Sequence, residues 1–222
     1  MVNLKYFIFK LYIDFKKWLY DFPKIGRYLR DKKCEKIFSR LSPGEIAIDL
    51  GANVGNVTKK MTRLGVLVYA IEPDPNAFKV LKEKFKTNEN VVCLNKAVSD
   101  HSGVSRIYLH QKSNEDPVKW STASSLISEK SNVDKDNFIE CEVFDIAQFI
   151  ESLDKPIGLL KIDIEGEEIK VLNKMIDLKL TARVRNIVVE THERIPSLKK
   201  PTEELIKKIL LNKIKNIDLS WA

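Results

Sequence analysis

The sequence predicts an α/β fold, a three-layer sandwich in which helices cover both faces of a mostly parallel sheet. From residue 45 onward, short runs rich in β-branched residues alternate with helical periods, as in strands joined by crossover helices. The first run, "EIAIDLG", enters a turn of small residues and then a helix. A length of 222 residues suits one such domain better than two.

The first half of the predicted domain alternates strictly between strands and helices. Val57, Met61 and Leu64 share one helix face, and Gly65 ends that helix. Pro75 begins the next helix, because proline suits a first helical turn. We predict strands in this half at "EIAIDLG", "VLVYAIEP" and "VVCLNKAV".

The second half is less regular at first. Residues 99–140 are predicted to hold one strand, "GVSRIYLHQ", and a long polar loop. Such a loop in a compact domain is typical of an active-site lid, and we expect Ser124 and Ser125 to reach the acceptor or the cofactor; an ordinary polar loop is the alternative. Regular structure is then predicted at "FIECEVFDIAQFIES", "IGLLKIDIEG", "EEIKVLNKMI", "VRNIVVETH", a helix from Thr202, and "NIDLSWA".

Residues 1–40 are predicted to form a basic helical extension, and residues 41–222 the main domain. The extension has eleven Lys and Arg against four acids, so it accounts for the whole net charge of +7. Its charges are too frequent for a membrane span. An apolar stripe at helical spacing consists of Leu4, Ile8, Leu11, Phe15, Trp18 and Phe22. We expect this stripe to pack on the domain or on a second subunit of a homodimer, or to lie on an anionic membrane surface.

The composition of the main domain limits its partners. With 27 basic and 27 acidic residues it is neutral, which disfavours nucleic acid. The three cysteines are widely spaced and form no C-x-x-C pair. We therefore expect reduced thiols in a cytoplasmic protein, at the inner membrane surface if the extension binds lipid.

The turn after the first strand indicates the ligand. A dinucleotide fingerprint needs glycine where Asn53 and Asn56 stand, and the lysine of a P-loop is missing. What remains is Asp49 ahead of Gly51, and Glu72 at the end of the next strand. Glu72 is positioned to accept both hydroxyls of a ribose, and Asp49 suits a ligand that carries a cation. S-adenosylmethionine has both groups; a purely structural turn is the alternative.

Several stretches of the chain together resemble the FkbM-type family of S-adenosylmethionine-dependent methyltransferases. They are "IDLGANVGNVT", "YAIEPDPNAFKVL", "NKAVSD", "STASSL", "LLKIDIEGEE" and "VVETH". The resemblance spans residues 46–192, and "KIDIEGEE" is its most distinctive part. It implies a class I methyltransferase fold with a seven-stranded Rossmann-like sheet. It also implies methylation of hydroxyl oxygens on sugars, glycans, lipid-linked or polyketide-like small molecules.

Carried over by position, the resemblance implies a set of cofactor contacts. Gly51, Asn53 and Gly55 would line the methionine part, Glu72 the ribose, and 97–98 the adenine. The full set expected to bind the cofactor is Asp49, Gly51, Asn53, Gly55, Asn56, Glu72, Pro73, Asp74, Ala97 and Val98. The chain departs from the family at its C-terminus, where "NIDLSWA" allows one strand of the usual antiparallel hairpin. We expect a shortened hairpin, its edge covered by a second subunit or by the N-terminal helix.

A second group of ionisable residues follows the strand "IGLLKIDIEG". Strand alternation places Lys161, Asp163 and Glu165 on one face, and the predicted neighbouring strand ends in Glu190 and His192. An alcohol must lose its proton during methylation, so we predict Asp163 as the base, with Glu190 and His192 as the other candidates and Lys161 as a catalytic partner. Glu165 is expected to contact the substrate. An ion pair that merely satisfies Lys161 is the alternative.

Other chemistries remain open at this stage. Asp163, Glu165 and Glu190, with His192, could hold a divalent cation that lowers the pKa of the acceptor, although we expect no metal. An RNA or protein methyltransferase and a non-catalytic module that binds S-adenosylmethionine are the competing functions. Against a nucleic-acid enzyme, the sequence contains no D-P-P-Y-type motif for methylating amino groups.

Overall fold

The computed structural model describes residues 2–20, 22–62, 65–121, 126–127, 132–193 and 195–221. The predicted lid residues Ser124 and Ser125 lie outside these ranges, as does Leu64. Within them the predicted α/β architecture is confirmed. The strands are β1 (Ile46–Leu50), β2 (Leu67–Ile71), β3 (Val91–Leu94), β4 (Ala97–Ser99), β5 (Gly103–His110), β6 (Val133–Asp145), β7 (Ile157–Ile162), β8 (Val184–Val189) and β9 (Ile217–Asp218).

Helices connect most of these strands. They are α1 (Val2–Tyr20), α2 (Pro23–Phe38), α3 (Asn56–Thr62), α4 (Pro75–Phe85), α5 (Pro117–Trp120), α6 (Ile146–Ser152), α7 (Glu168–Asp177) and α8 (Pro196–Leu211), with a 3₁₀ turn at Leu180–Arg183. Pro75 begins α4 as predicted, and Asp74 caps it by accepting a hydrogen bond from the Asn76 amide at 2.8 Å. The last helix begins at Pro196, earlier than the predicted Thr202. None of the helices in the described part of the chain is long and apolar enough to span a bilayer.

The main sheet has six strands in the order β3-β2-β1-β7-β8-β9. Every neighbouring pair of these strands is parallel. The chain builds the sheet outward from β1, first through β2 and β3 and later, on the other side, through β7 to β9. The direction of winding therefore reverses between β1 and β7, which is where open α/β sheets bind their ligands.

The core lies on both faces of this sheet. On one face the buried residues include Ile48, Leu160 and Ile187, and on the other Ala47 and Leu159. These alternating positions follow the two-residue period of a strand. The predicted inner face of α7 is confirmed, because its apolar residues Ile169, Leu172, Met175 and Ile176 are all buried.

A second, three-stranded sheet corrects the prediction for residues 91–140. The expected single strand "VVCLNKAV" is two strands in different sheets, β3 and β4. The chain turns between them at Asn95, whose side-chain amide donates to the carbonyl oxygens of Glu72 and Pro73 at 2.8 and 3.0 Å. The segment expected to be mostly loop contains the long antiparallel pair β5 and β6. Tyr108 and Phe138 contact each other edge to face across this pair, with ring centroids 6.2 Å apart.

The C-terminal edge of the sheet is shorter than the family pattern implied. The described chain forms six strands in this sheet where seven were expected, and β9 runs parallel to β8 without an antiparallel hairpin. Helix α2 lies beside this edge. Lys33 of α2 forms an ion pair with Asp218 at 3.1 Å, and Phe38 packs against Trp221. The predicted cover by the N-terminal extension is thus provided within the same chain.

The extension forms two helices, and α1 docks through a different face than predicted. The expected stripe of Leu4, Ile8, Leu11, Phe15, Trp18 and Phe22 is between 42% and 66% exposed. Ile13 is buried instead, and Tyr6 and Phe9 pack against the main core. Lys10 on the same side pairs with Glu193 at 3.3 Å. A stripe of large apolar residues predicts an amphipathic helix, but these inner contacts decide which side faces the domain.

Candidate active site

A cavity opens at the carboxyl ends of β1, β2 and β7, where the winding of the sheet reverses. It is a concave site with mostly apolar walls and a few polar groups, as is usual for sites that bind small molecules. The lining residues are Gly51, Asn53, Ile71, Glu72, Pro73, Asp74, Lys96, Ala97, Val98, Ile107, Ser121, Leu126, Asp163, Ile164 and Glu165. Seven of the ten predicted cofactor residues, the predicted base Asp163 and the predicted substrate residue Glu165 are therefore brought together.

The glycine turn is pressed against the end of β7. Gly51 has a φ of +74°, and a Cβ built on it would lie 1.8 Å from the carbonyl oxygen of Asp163. No side chain fits in that space, and a positive φ also favours glycine. Gly51 therefore joins the two halves of the cavity, one formed by the turn and the other by the segment after β7.

Asn53 shapes the turn by its backbone and its side chain. Its φ of +48° is left-handed, a conformation that asparagine tolerates better than most residues. Its backbone amide donates to Oε2 of Glu72 at 2.8 Å, and its side-chain Nδ2 donates to Oγ of Ser121 at 2.9 Å. Asn53 thus ties the turn to the acid at the end of β2 and to the segment after α5.

Glu72 is held in place by backbone amides. Its Oε1 accepts from the Asp74 amide at 2.8 Å, in addition to the bond from Asn53. Burial raises the pKa of Glu72 to about 7, although the bonds from Asp74 and Asn53 act in the opposite direction. The carboxyl group is fixed at the cavity wall, where its remaining lone pairs can accept hydrogen bonds from the hydroxyl groups of a ligand.

Three predicted cofactor residues lie away from the cavity wall. Asp49 is fully buried below the turn, where its carboxylate accepts from Thr58 at 2.7 Å. Gly55 lies against α4, because a Cβ there would come within 2.6 Å of the Phe85 ring. Asn56 begins α3 and accepts from Lys84 at 3.2 Å. In the described structure these residues support the turn, and the prediction that they contact the cofactor stays a prediction.

Lys161 is a buried cation between two carboxylates. Its Nζ lies 3.2 Å from Asp49 and 3.3 Å from Asp163, and it donates to the carbonyl oxygen of Gly51 at 2.8 Å. Burial alone would lower the pKa of Lys161, but Asp49 and Asp163 outweigh it and raise that pKa. Lys161 therefore stays charged and fixes both the turn and the predicted base, which is a positioning role.

His192 lies among three carboxylates. Its Nε2 is 3.2 Å from Glu165 and 4.0 Å from Asp163, and its Nδ1 is 3.0 Å from Glu168. Burial alone would lower the pKa of His192, but Glu168 above all, and then Glu165 and Asp163, raise it to about 9. At neutral pH His192 is therefore a cation. The prediction from sequence had treated it as a candidate base.

Glu168 is a site residue that the sequence reasoning missed. Its side chain is buried and accepts from the amides of Ile164 and Gly166, both at 2.9 Å. The loop that it closes has φ angles of +55° at Glu165 and +121° at Gly166. A signal was available, because acids are favoured in the first turn of a helix and Glu168 begins α7. Glu168 thus holds the loop and faces His192 at the same time.

Glu165, Glu190 and His192 form an ionic cluster next to Asp163. Glu190 itself is not among the residues that line the cavity. Burial, and next the charge of Asp163, raise the pKa of Glu190 to about 7. A divalent cation could be held by Asp163, Glu165 and His192, since one ligand atom from each lies within 4.8 Å of the others. This grouping contains three of the four residues that the sequence suggested as possible cation ligands, and Glu190 is the one it lacks.

The cavity fits S-adenosylmethionine in its chemical character. Apolar side chains line one part of it, and the sequence reasoning missed Ile107, Leu126 and Ile164 among them. Such a surface suits the faces of an adenine ring. The fixed carboxyl group of Glu72 suits a ribose, and the acids beyond Gly51 suit a ligand with positive charge.

Comparisons with known proteins agree with this assignment. The model of the methyltransferase FkbM domain matches residues 49–213, well over half of the chain. A probable ribosomal RNA small subunit methyltransferase A of Methanosarcina mazei is 36% identical over 53 residues, 24% of this chain and 20% of that protein. The Methanosarcina acetivorans protein of the same description is 34% identical over 55 residues, 25% of this chain and 20% of that protein. The chain thus spans about a fifth of the length of these relatives. By the extent of the domain match, the chain belongs to the FkbM methyltransferase family.

Proposed function

We propose that this protein transfers a methyl group from S-adenosylmethionine to a hydroxyl oxygen of a small-molecule or glycan acceptor. The observation that supports this best is the position of Asp163. It lines the cavity, and the ionic cluster of Glu165, Glu190 and His192 lies next to it. An acceptor that enters beside the cofactor would meet a carboxylate there, which is what an alcohol needs in order to lose its proton.

Asp163 is the base in this proposal. S-adenosylmethionine supplies an electrophilic methyl group on a sulfonium sulfur, so the chain's own residues need only position the acceptor and take its proton. As the new C–O bond forms and the C–S bond breaks, the hydroxyl oxygen gains oxonium character and its proton becomes far more acidic, so an ordinary carboxylate can accept that proton. The side chain of Asp163 is 28% exposed, so it can contact a ligand in the cavity.

Lys161 and His192 orient Asp163, and Glu190 has a separate role. Lys161 holds one carboxylate oxygen of Asp163 at 3.3 Å, and His192 lies 4.0 Å from the other. With a pKa of about 9, His192 carries its proton at pH 7 and cannot take one from the acceptor. Glu190, with a pKa of about 7, is a carboxyl group that can exchange a proton with solvent near neutral pH.

A methyl-transfer assay with labelled cofactor tests this proposal. The enzyme is incubated with methyl-labelled S-adenosylmethionine and a panel of methyl glycosides, oligosaccharides and hydroxylated lipids, and the products are identified by mass spectrometry. We expect an O-methyl product. The Asp163→Asn variant should lower kcat by about 10²-fold to 10⁴-fold, the contribution typical of a general base, while it still binds the cofactor in calorimetry.

The matched control is Asp177→Asn, which removes an exposed carboxylate that pairs with Lys208 on α8. This variant should have wild-type turnover. A wild-type protein that binds no S-adenosylmethionine in calorimetry would contradict the proposal and leave a non-enzymatic role. Full turnover in Asp163→Asn would exclude Asp163 as the base, but it would not contradict the proposal that the protein transfers a methyl group.

Methylation of RNA is a second candidate, favoured by the partial match to ribosomal RNA methyltransferases. Two observations weigh against it. The main domain carries equal numbers of basic and acidic residues, and the cavity rim contains Asp163 and Glu165, which would repel phosphate groups. RNA binding by residues 41–222 that weakens steeply with salt, together with label transfer to RNA, would favour this candidate over the first.

A further inference from the structure

Helix α1 is held on the domain in one fixed orientation. Ile13 is only 2% exposed, Tyr6 and Phe9 pack against the main core, and α1 contacts both α2 and α8. Lys10 pairs with Glu193 at 3.3 Å, and Lys207 of α8 lies over the Tyr6 ring at 5.2 Å. The opposite side of α1 is therefore turned away from the domain by specific contacts.

That opposite side is a continuous apolar surface, which we name the outer stripe. Its members are Leu4, Phe7, Ile8, Leu11, Tyr12, Phe15, Trp18 and Phe22. Each is between 42% and 66% exposed. At 3.6 residues per turn, the members on α1 cover an arc of roughly 140°. Scattered apolar residues are normal on a protein surface, but a contiguous stripe of this size marks an interaction site.

The outer stripe is bordered by basic residues. Lys5 is exposed and lies at one edge of the arc, and Lys16 lies near the same edge with its Nζ 5.0 Å from the Tyr12 ring. Residues 1–40 together carry a net charge of +7, and the rest of the chain has none. Basic side chains next to a stripe rich in Phe, Trp and Tyr are typical of helices that lie in a lipid headgroup layer.

We propose that the outer stripe binds the surface of an anionic lipid bilayer. Its apolar side chains would enter the headgroup boundary while the lysines along its edge, Lys5 and Lys16, contact acidic headgroups. Charge favours this occupant over a second copy of the chain. A two-fold symmetric dimer through this stripe would bring two segments of charge +7 together, whereas an anionic membrane neutralises that charge.

Vesicle co-sedimentation of the full chain tests the proposal. One set of vesicles contains phosphatidylglycerol and phosphatidylcholine, and the other only phosphatidylcholine. The double variant Leu11→Glu and Phe15→Glu changes two stripe residues that are 52% and 56% exposed, so the fold should persist. The matched control is Leu211→Glu on α8, whose leucine is 61% exposed outside the stripe. Lys5→Glu with Lys16→Glu tests the charge alone.

We expect the wild-type protein and Leu211→Glu to bind the anionic vesicles at least about tenfold more tightly than the neutral ones. The stripe variant should lose this binding by a similar factor, and the lysine variant should lose most of the preference for anionic lipid. Absence of wild-type binding, or an equal loss in Leu211→Glu, would overturn the proposal. A wild-type dimer in sedimentation velocity that the stripe variant dissociates, without vesicle binding, would assign the stripe to a second copy.

Discussion

The two halves of the candidate site are built by different means. We name the part around Gly51, Asn53 and Glu72 the cofactor half and the part around Asp163 and His192 the acceptor half, after the function proposed above. On the cofactor half, backbone amides of Asn53 and Asp74 hold Glu72, and Gly51 is fixed by close packing. On the acceptor half, side chains hold one another, with His192 among Glu165, Glu168 and Asp163. The cofactor half is thus preorganised by chain geometry, and the acceptor half by charge balance.

This difference determines how each half responds to change. The backbone amides that hold Glu72 do not titrate, and Glu72 itself is the titrating group among these contacts, with a pKa of about 7. The cofactor half should therefore be most sensitive to substitutions that alter the path of the chain. Ion pairs in a partly buried cluster depend on the protonation of each member. The acceptor half should therefore be sensitive to pH and to changes of charge. Lys161 connects the two halves, because it contacts Asp49, Asp163 and the carbonyl oxygen of Gly51.

Lys161→Met should have the largest effect on stability, because it removes the cation shared by both halves. Asp49 is fully buried and would keep an uncompensated charge. Removing one partner of a buried pair typically costs about 3–5 kcal/mol of unfolding free energy. Urea denaturation of the wild-type and variant proteins measures this loss.

Two further variants make this result specific. Adding Asp49→Asn to Lys161→Met should restore much of the stability, since the buried charge is then gone. Lys86→Met breaks a pair with Glu83 in which the two side chains are 61% and 70% exposed, and it should cost less than about 1 kcal/mol. Equal losses in Lys161→Met and Lys86→Met would refute the idea that Lys161 links the two halves.

Gly51→Ala should chiefly impair the cofactor half. The added methyl group would meet the carbonyl oxygen of Asp163 at 1.8 Å, so the turn must move away from β7. A displacement of about 1 Å in a site can cost about 10²-fold, and we expect a loss of this order in the affinity for S-adenosylmethionine, measured by calorimetry. Gly44→Ala is the control, since Gly44 has a similar φ of +87° with nothing within 4 Å of the added Cβ. Equal affinity losses in both variants would point to backbone strain instead of the contact with β7.

The cofactor half was the more predictable from sequence. Glu72 and Asn53 were identified because strand ends and small-residue turns leave local patterns. The same patterns could not separate Gly51, which meets β7, from Gly55, which meets Phe85 of α4. Both glycines have positive φ angles, and only the packing of distant elements distinguishes their roles. The ion pair of Asp49 with Lys161, which is 112 positions later in the chain, also leaves no local pattern.

The acceptor half and the extension depended on contacts that sequence patterns do not record. The grouping of Asp163 with His192 followed from the predicted pairing of their strands, and the structure confirms that pairing. The charge of His192 did not follow, because it depends on Glu168, which reaches it from the start of α7. For α1, periodicity predicted one apolar stripe and left open whether the domain, a second subunit or a membrane covers it. Ile13 and Lys10 settle the choice through residues at the other end of the chain.

His192→Gln should change how stability varies with pH. The pKa of His192 is raised from 6.5 to about 9 in the folded protein, so its stabilising effect is complete below pH 6.5 and is lost as pH rises to about 9. Unfolding free energies at pH 6 and pH 9.5 should show the wild-type advantage over the variant shrinking by up to about 1.4 kcal/mol per unit of raised pKa. His101→Gln, with a ring 60% exposed beside Asp100, is the control and should show a far smaller change. A wild-type advantage that grows with pH would contradict the assigned charge.

Chelation of divalent cations should have the smallest effect. Asp163, Glu165 and His192 could form a cation site, but a metal requires the neutral imidazole. At pH 7 the proton on His192 already balances the neighbouring carboxylates, because its pKa is about 9. We therefore expect EDTA to change turnover by less than about twofold at this pH, since a proton and a metal compete for the same group. A loss of turnover in EDTA that magnesium restores would show that a metal ion, instead of the proton on His192, organises the acceptor half. The two halves would then differ in that backbone amides hold one and metal ligands hold the other.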